Sequence, residues 1–272
     1  MSRNRSLFEL FIAFALVLSV FVSIPLQRGG IGLSWDSVNH HIYLGWVADS
    51  ARFDKDYFAA GSQSYQFPYL YWPIYKMAFW GWSGRTAGVV WAVLHALICF
   101  PLLHMARSLM PGGDFFTVLF RLSGVLLGVG TLLVLRAPET TGNDVLAALP
   151  FLWALAIGIK ATALGGSLSE RQLRWYATGI GLLGGVSVAF KLSNGFFLPV
   201  LLLLTLASGG RVADRLLGVL CWSLAVAGGF WVTYGWWGYQ LWVHFGNPVF
   251  PFYDGVFSII RSIIGWRPLV GI

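Results

Sequence analysis

Long apolar segments separated by short polar loops are the feature that most constrains how this chain folds. The first, Leu7 to Leu26, has about 20 residues, the length with which a helix crosses a hydrocarbon core of about 30 Å. The segments that follow and are long enough, or nearly so, are residues 86–106, 115–135, 144–165, 174–190, 196–208 and 214–234. The chain is 57% hydrophobic, against roughly 45–50% in soluble domains. The sequence therefore predicts an all-α polytopic membrane protein with about seven transmembrane helices, forming a single domain over residues 1–272.

Arginine positions predict how the chain is oriented. Arg3 and Arg5 precede the first apolar segment, and no small-residue cleavage site follows Leu26, so we expect an uncleaved anchor with a cytoplasmic N-terminus. If residues 68–82 do not cross the membrane, most of the later loop arginines also fall on the cytoplasmic side: Arg107, Arg171, Arg174, Arg211 and Arg215. The net charge of +7 is thereby explained by orientation, and no nucleic-acid partner is predicted. Arg121 and Lys160, near the cytoplasmic span ends, are expected to snorkel.

Residues 68–82 are aromatic but contain Pro68, Pro73 and Lys76. They are too short to cross as a helix, so we expect an interfacial helix within a long first outer loop, residues 27–85. Three further polar segments then share that outer face with the loop: residues 136–144, 191–195 and 244–255. The sequence thus predicts one site at the outer ends of the helices.

Asp36 is the first candidate, because a carboxylate near the bilayer surface can remove a proton from an acceptor hydroxyl. Its alternative role is that of a helix N-cap. His40 and His41 are adjacent and point about 100° apart on a helix, so they do not form a two-histidine metal site. They are expected to contact phosphate or substrate, or else to be interfacial polar residues.

The remaining candidates are cations, acids and aromatic residues of the same outer face. Cations and amides at that face can bind a lipid phosphate or a sugar, and an acid there can be a second carboxylate of the site, beside Asp36. Snorkelling is the alternative for Lys191, and a membrane-interface aromatic belt is the alternative for the tyrosines. For the second acids, the alternative is helix capping by Asn143 before the span that begins at Asp144. The predicted substrate or phosphate contacts are Gln63, Tyr65, Lys76, Arg85, Lys191 and Asn194; the second acids are Glu139 and Asp144; a D-x-D pair that could hold a divalent metal is Asp54 and Asp56.

No Gly-rich phosphate loop, nucleophile elbow or zincin helix occurs, so no soluble nucleotide donor and no cofactor is predicted, with a divalent metal left open. The order of motifs resembles the GT-C glycosyltransferase superfamily. The similar features are an acid in a long first outer loop (SWDSVNHH), an aromatic-proline segment with a lysine (FPYLYWPIYK), the GWSGR that precedes the next span, PETTGND, FKLSNG, and GNPVFPFYDG, which is similar to an Asn-Pro-x-x-Pro-Phe motif of bacterial members.

This resemblance implies an enzyme of the bacterial inner membrane whose active site faces outward. It would move a sugar from a polyprenyl-phosphate carrier to a glycan, lipid or protein acceptor, with Asp36 as base and Lys76 or Lys191 at the lipid phosphate. Family members are usually longer, so the resemblance also implies that a C-terminal part is missing. The alternatives are a transporter or flippase-like protein and an inactive truncated remnant. Transport predicts polar residues at mid-membrane depth, whereas here they lie at the span ends.

Overall fold

The computed structural model describes residues 3–56 and 59–267. The described chain is helical apart from its loops and one short strand, Ala59–Ser62. The α-helices are α1 Arg3–Arg28, α2 Ile42–Val47, α3 Trp72–Phe79, α4 Gly84–Ala96, α5 Cys99–Leu109, α6 Phe115–Val129, α7 Leu132–Arg136, α8 Asp144–Leu164, α9 Glu170–Phe190, α10 Leu198–Ala207, α11 Val212–Phe245 and α12 Asp254–Ile263. A π-helix spans Ser37–His41, and 3-10 turns span Gln63–Tyr65, Ala137–Glu139, Gly165–Ser167 and Leu192–Phe197.

Several of these helices are long and apolar enough to cross a membrane, which confirms an all-α membrane-embedded protein. Within residues 3–56 and 59–267, four segments meet this criterion: Asn4–Arg28, Gly84–Leu109, Asp144–Ser167 and Val212–Phe245. A fifth is reached if α6 and the helical segment after it, which meet at a bend of 65°, form one broken span. α9 and α10 do not meet the criterion, so the predicted count of seven is not confirmed.

Local sequence signals explain where the helices begin. The Ser83 hydroxyl accepts a hydrogen bond from a backbone N–H in the first turn of α4, and the Asp114 carboxylate does the same for α6. At α9, Ser169 and Gln172 form a reciprocal capping box. Each cap accepts a hydrogen bond from a backbone N–H that would otherwise have no partner, and so fixes the residue at which the helix begins.

Close packing between α9 and α11 depends on glycine. A methyl group built on Gly185 would lie 2.8 Å from the backbone nitrogen of Phe230, and one on Gly181 would lie 3.0 Å from the Ala225 Cβ. On the facing helix, a methyl group on Gly229 would lie 3.1 Å from the Leu182 carbonyl carbon. Small residues let helix backbones approach closely in membranes. This contact holds the second half of α9 against the middle of α11.

A buried charge cluster lies at one end of the bundle, which we call the far end. The Arg121 Nε donates to Glu9 Oε1 at 2.7 Å, and the Arg107 Nη2 lies 2.9 Å from Glu9 Oε2. Arg121 is 2% exposed and Glu9 is 1% exposed. The expectation that Arg121 snorkels is therefore wrong: its guanidinium is buried because the first helix supplies a carboxylate for it.

The predicted interfacial helix at residues 68–82 is shorter in the structure. α3 runs from Trp72 to Phe79, and Pro68 instead lies in the preceding turn, where its carbonyl accepts a hydrogen bond from the Tyr71 N–H at 2.9 Å. α3 buries Ile74 and Met77 and leaves Phe79 exposed. It therefore has the two-sided character expected of a helix that lies along a surface.

Candidate functional site

Backbone hydrogen bonds tie the first loop to the start of α4 and to the segment between α7 and α8. The Ile31 N–H donates to the Gly84 carbonyl at 2.9 Å, and the Gly32 N–H donates to the Glu139 carbonyl at 2.6 Å. A methyl group on Gly32 would lie 3.0 Å from that same carbonyl oxygen, so the close approach requires glycine. The ends of α1, α4 and α7 thus meet at the end of the bundle opposite the far end, which we call the first-loop end.

The helical segment that begins after Ser34 places Asp36 at the surface. The Ser37 N–H donates to the Ser34 hydroxyl at 3.2 Å, so Ser34 caps the segment, while the Asp36 side chain makes no capping hydrogen bond. The alternative in which Asp36 is an N-cap is therefore wrong. Its side chain is 54% exposed, and its Oδ1 lies 3.8 Å from the His40 Nδ1 one turn further on.

A buried hydrogen-bond network joins this segment to Thr141. The Thr141 hydroxyl lies 2.6 Å from the Ser37 hydroxyl and 2.7 Å from the His41 Nδ1. The His41 ring also stacks on Tyr71, with centroids 4.5 Å apart. The turn that carries these residues is a π-helix, a rare conformation that often occurs at functional sites. The network holds the helical segment that carries Asp36 in a fixed position.

Both histidines are kept neutral by their surroundings. The pKa of His41 is lowered to about 4, mainly by burial and next by the neighbouring His40, against the opposing effects of Asp36 and Asp144. Burial also lowers the pKa of His40, against the opposing effect of Asp36. At neutral pH these imidazoles therefore act as hydrogen-bonding groups. They do not supply positive charge to a phosphate.

Tyr71 and Asn143 form the next layer of the site. Burial raises the pKa of the Tyr71 hydroxyl, and the negative charge of Asp144 raises it further, whereas a hydrogen bond from Asn143 has the opposite effect. Asn143 is buried and makes no capping hydrogen bond to α8. The alternative of capping by Asn143 is therefore wrong, and its amide instead belongs to the wall of the pocket described below.

Lys191 and Asp144 form an ion pair at the rim of the site. Lys191 follows α9 and Asp144 begins α8, and both side chains are substantially exposed. Asn194, predicted as a substrate contact, instead donates from its Nδ2 to the Ala147 carbonyl at 3.1 Å and to the Ser187 hydroxyl at 2.9 Å. Its amide therefore links α8 to α9 and positions the lysine next to the acid.

A pocket of about 380 Å³ opens beside this ion pair. Its wall is largely aromatic, with polar groups from Tyr71, Asn143, Lys191 and Ser193. Such a composition, mostly apolar with a few convergent polar groups, is typical of small-molecule sites. The remaining lining residues are Tyr65, Gln66, Phe67, Phe190, Leu192, Phe196, Tyr234, Phe252 and Tyr253.

The segment after α11 completes the pocket because Asn247 folds it back on itself. The buried Asn247 amide donates to the Phe252 carbonyl at 3.0 Å, and its Oδ1 accepts a hydrogen bond from the Val249 N–H at 3.0 Å. Phe250 stacks on Phe245, with ring centroids 4.3 Å apart. The four polar segments predicted to share one face are thus together at the first-loop end, which confirms that part of the sequence analysis.

Other predicted cations lie apart from the pocket wall. The Lys76 Nζ lies 2.6 Å from Asp49 Oδ2, and the Trp72 Nε1 donates to the other oxygen of the same carboxylate at 2.7 Å. Arg85 is exposed in the first turn of α4, and among residues 3–56 and 59–267 it has no ion-pair partner. Lys191 is therefore the predicted cation that the structure places at the pocket.

The remaining predicted contacts divide between the site and its support. Tyr65 lines the pocket and is 3% exposed. Gln63 accepts a hydrogen bond at its Oε1 from the Asn39 amide at 3.2 Å. The Glu139 carboxylate lies 3.3 Å from the Arg28 Nε, so it stabilises the end of α1 and does not line the pocket.

The D-x-D pair is not arranged as a metal site in the described structure. Asp56 pairs with Arg52, which keeps the pKa of that carboxyl below its ordinary value. Asp54 is exposed. No group of three or more His, Cys, Asp and Glu side chains that could hold a metal ion occurs within the described ranges.

Sequence reasoning did not identify Thr141, Ser193 or Tyr234 as parts of the site. Thr141 is 1% exposed and connects two loops that are about 100 residues apart, and no local pattern marks such a residue. Tyr234 lies within the apolar segment of α11, where an aromatic residue is ordinary. Tyr253 belongs to GNPVFPFYDG, and its positive φ of 55° turns the chain at the pocket.

Comparisons of the chain with models of known families, with curated proteins and with solved structures found no match.

Proposed function

We propose that this chain is a GT-C-type glycosyltransferase that moves a sugar from a polyprenyl-phosphate carrier to a cell-envelope acceptor. The observation that carries the proposal is the aromatic pocket that opens beside Lys191 and Asp144 at the first-loop end. A second carboxylate, Asp36, lies on a helical segment that Thr141 holds against the segment between α7 and α8, just before Asp144. The motif resemblance described above supports the same reading.

The pocket suits a ligand with an apolar chain and an anionic head. Its aromatic wall can bury isoprenoid units, and the Lys191 ammonium at the rim can bind a phosphate. Lys191 is occupied by Asp144 in this structure, but an exposed ion pair of this kind stabilises by only about 0–1 kcal/mol. A phosphate can therefore take the place of the carboxylate at little cost.

In the proposed reaction, Asp36 accepts the proton of an acceptor hydroxyl as that oxygen forms a bond to the anomeric carbon of the sugar. The bond between the anomeric carbon and the phosphate oxygen breaks, and polyprenyl phosphate leaves with the electron pair. Lys191 compensates the negative charge that develops on this phosphate. Attack opposite to the leaving group inverts the anomeric configuration.

Orientation follows from the charge distribution. The far end carries the arginine-rich loops, among them Arg107 and Arg211, and positive charge is enriched in cytoplasmic loops. We therefore place the first-loop end, with the pocket and Asp36, on the outer face of a bacterial inner membrane.

The proposal is tested by sugar transfer in membranes that contain the chain. Radiolabelled polyprenyl-phosphate sugars are supplied to wild type, to Asp36→Asn and to Glu170→Gln, which makes the same carboxyl-to-amide change on an exposed acid outside the site. We expect transfer by wild type and by Glu170→Gln and a loss of at least about 100-fold in Asp36→Asn. Equal transfer by all three proteins would contradict the assignment of Asp36.

Donor binding is tested separately by competition with polyprenyl phosphate. Lys191→Met should weaken binding about 10-fold or more, whereas Lys55→Met, on an exposed lysine of the first loop, should not change it. If labelled lipid crosses the bilayer and no sugar is transferred, transport replaces glycosyl transfer as the function.

A further inference from the structure

A second pocket, of about 190 Å³, lies between the last turns of α11 and the segment that follows α2. It is separate from the aromatic pocket, and its lining includes the polar side chains of Asp49, Ser50, Gln240 and His244. Its lining residues are Val47, Ala48, Asp49, Ser50, Ala51, Tyr69, Trp236, Trp237, Gln240 and His244.

The polar groups of this pocket are charge-balanced and leave hydrogen-bonding capacity free. The Asp49 carboxylate accepts from Trp72 and Lys76, and these bonds keep its pKa below the ordinary value. It stays ionised while its charge is compensated. The Gln240 side-chain amide has no hydrogen-bond partner among the residues that the structure describes, although the Gln240 carbonyl accepts from the His244 Nδ1 at 2.8 Å.

An aromatic platform stands at the edge of the pocket. Trp236 is 63% exposed and Tyr239 is 56% exposed, and their rings are stacked with centroids 5.9 Å apart. Exposed rings with adjacent carboxylate and amide groups offer an apolar face and directional hydrogen bonds together. A sugar ring presents the complementary pair of features, because C–H groups line its faces and hydroxyl groups surround its edge.

The position of the pocket along α11 places it outside the hydrocarbon core. α11 has 34 residues and is about 51 Å long at 1.5 Å per residue, against a core of about 30 Å. The predicted span, residues 214–234, ends before the residues of α11 that line the pocket, so we expect the last turns to extend beyond the core. The charged pair of Asp49 and Lys76 fits the aqueous side of that boundary. The platform is accessible to a ligand at the membrane surface.

A wall of aromatic residues separates the two pockets. Trp237 lines the second pocket and donates from its Nε1 to the carbonyl of Tyr65, which lines the first, at 3.0 Å. A group held in the second pocket is therefore on the other side of this wall from the proposed donor. It cannot be the reacting hydroxyl while it remains there.

We infer that the second pocket binds one ring of a neutral carbohydrate, a residue of a glycan acceptor that does not itself react. This inference rests on the proposed function, since it takes the acceptor to be a glycan. A neutral ligand fits because Lys76 already compensates Asp49, the carboxylate among the lining residues. Binding at such a remote subsite would add affinity for the acceptor and orient it.

The test measures binding in the absence of any donor. Purified protein in detergent is titrated by calorimetry with maltohexaose, cellohexaose and mannohexaose, and in parallel with tetramethylammonium and inorganic phosphate. Trp236→Ala and Gln240→Leu are compared with Trp231→Ala, which removes an exposed tryptophan of α11 that does not line the pocket. We expect at least one hexasaccharide to bind, about 3- to 10-fold more weakly to the two pocket variants, with Trp231→Ala like wild type.

The inference is overturned if no hexasaccharide binds, or if hexasaccharide binding is the same in all variants. It is also overturned if binding of tetramethylammonium or phosphate depends on Trp236 while binding of the hexasaccharides does not. Saccharide binding that depends on Trp236, without transfer from any polyprenyl-phosphate donor, would keep the carbohydrate site and reject the proposed function, and with it the role of the bound ring as part of an acceptor. Transfer that depends on Asp36, without saccharide binding at Trp236, would keep the proposed function and reject this inference.

Discussion

Replacing Gly185 by alanine should separate α9 from α11. In an open helix the substitution stabilises by about 1 kcal/mol, because alanine has the higher helix propensity. Here the new methyl group would lie 2.8 Å from the Phe230 nitrogen, and closer still to the Val226 carbonyl oxygen. A shift of about 1 Å between the helices is needed to relieve this overlap, and such a gap removes about half of the dispersion energy along the interface. Overpacking typically costs about 1–3 kcal/mol.

Gly179→Ala is the matched control, because it lies on the same helix and a methyl group there meets nothing within 4 Å. Thermal unfolding in detergent, measured as the fraction that stays monodisperse on size exclusion, should show a Tm about 3–8 °C lower for Gly185→Ala. Gly179→Ala should match or exceed the wild-type Tm. The packing argument fails if the two variants have equal Tm values. Because α9 ends at Phe190 and Lys191 follows it, and both residues line the aromatic pocket, Gly185→Ala should also weaken donor binding.

Three further perturbations have defined outcomes. Glu9→Gln removes the carboxylate that Arg121 binds in the interior and should lower the free energy of unfolding by about 3–5 kcal/mol. Its Tm loss should be the largest among these variants. An unchanged Tm would mean that the charge cluster does not stabilise the fold. Asn247→Ala should cost about 1–3 kcal/mol through the lost backbone bonds, and a chemical-denaturation midpoint like that of wild type would refute this. His41 is protonated in the unfolded chain below its ordinary pKa of 6.5 and in the folded chain only below about 4. Stability should therefore fall by about 2–3 kcal/mol between pH 7 and 4.5, and the fall should be smaller in His41→Gln; an equal fall would show that His41 is not its source.

The helical, membrane-embedded character of the chain could be predicted from the sequence because apolar segments long enough to span a bilayer are a local property. The number of spans could not, because an apolar segment does not fix how many of its residues become helical: α10 has only 10 residues, about half of what a helix needs to cross a bilayer. The helix predicted at residues 68–82 begins only at Trp72, since a turn forms at Pro68 instead. Arg121 was expected to snorkel, whereas its partner is a glutamate more than 100 residues away.

Part of the candidate site was also predictable. The four polar segments that meet at the first-loop end follow from the alternation of spans. The roles of single residues do not follow, because they depend on long-range pairs that one sequence does not reveal. Asn194 faces Ala147 and Ser187, and Lys76 faces Asp49, while Thr141 connects His41 to Ser37 without any local signal.

The most direct test of the central claim is a single-turnover assay with the purified chain in proteoliposomes. A labelled polyprenyl-phosphate sugar is bound first, an acceptor glycan is then added, and the labelled product is measured in wild type and in Asp36→Asn. We predict that both proteins bind the donor and that only wild type forms product, with inverted anomeric configuration. Product formation by Asp36→Asn at the wild-type rate, or donor binding without product in wild type with every acceptor supplied, would contradict the account.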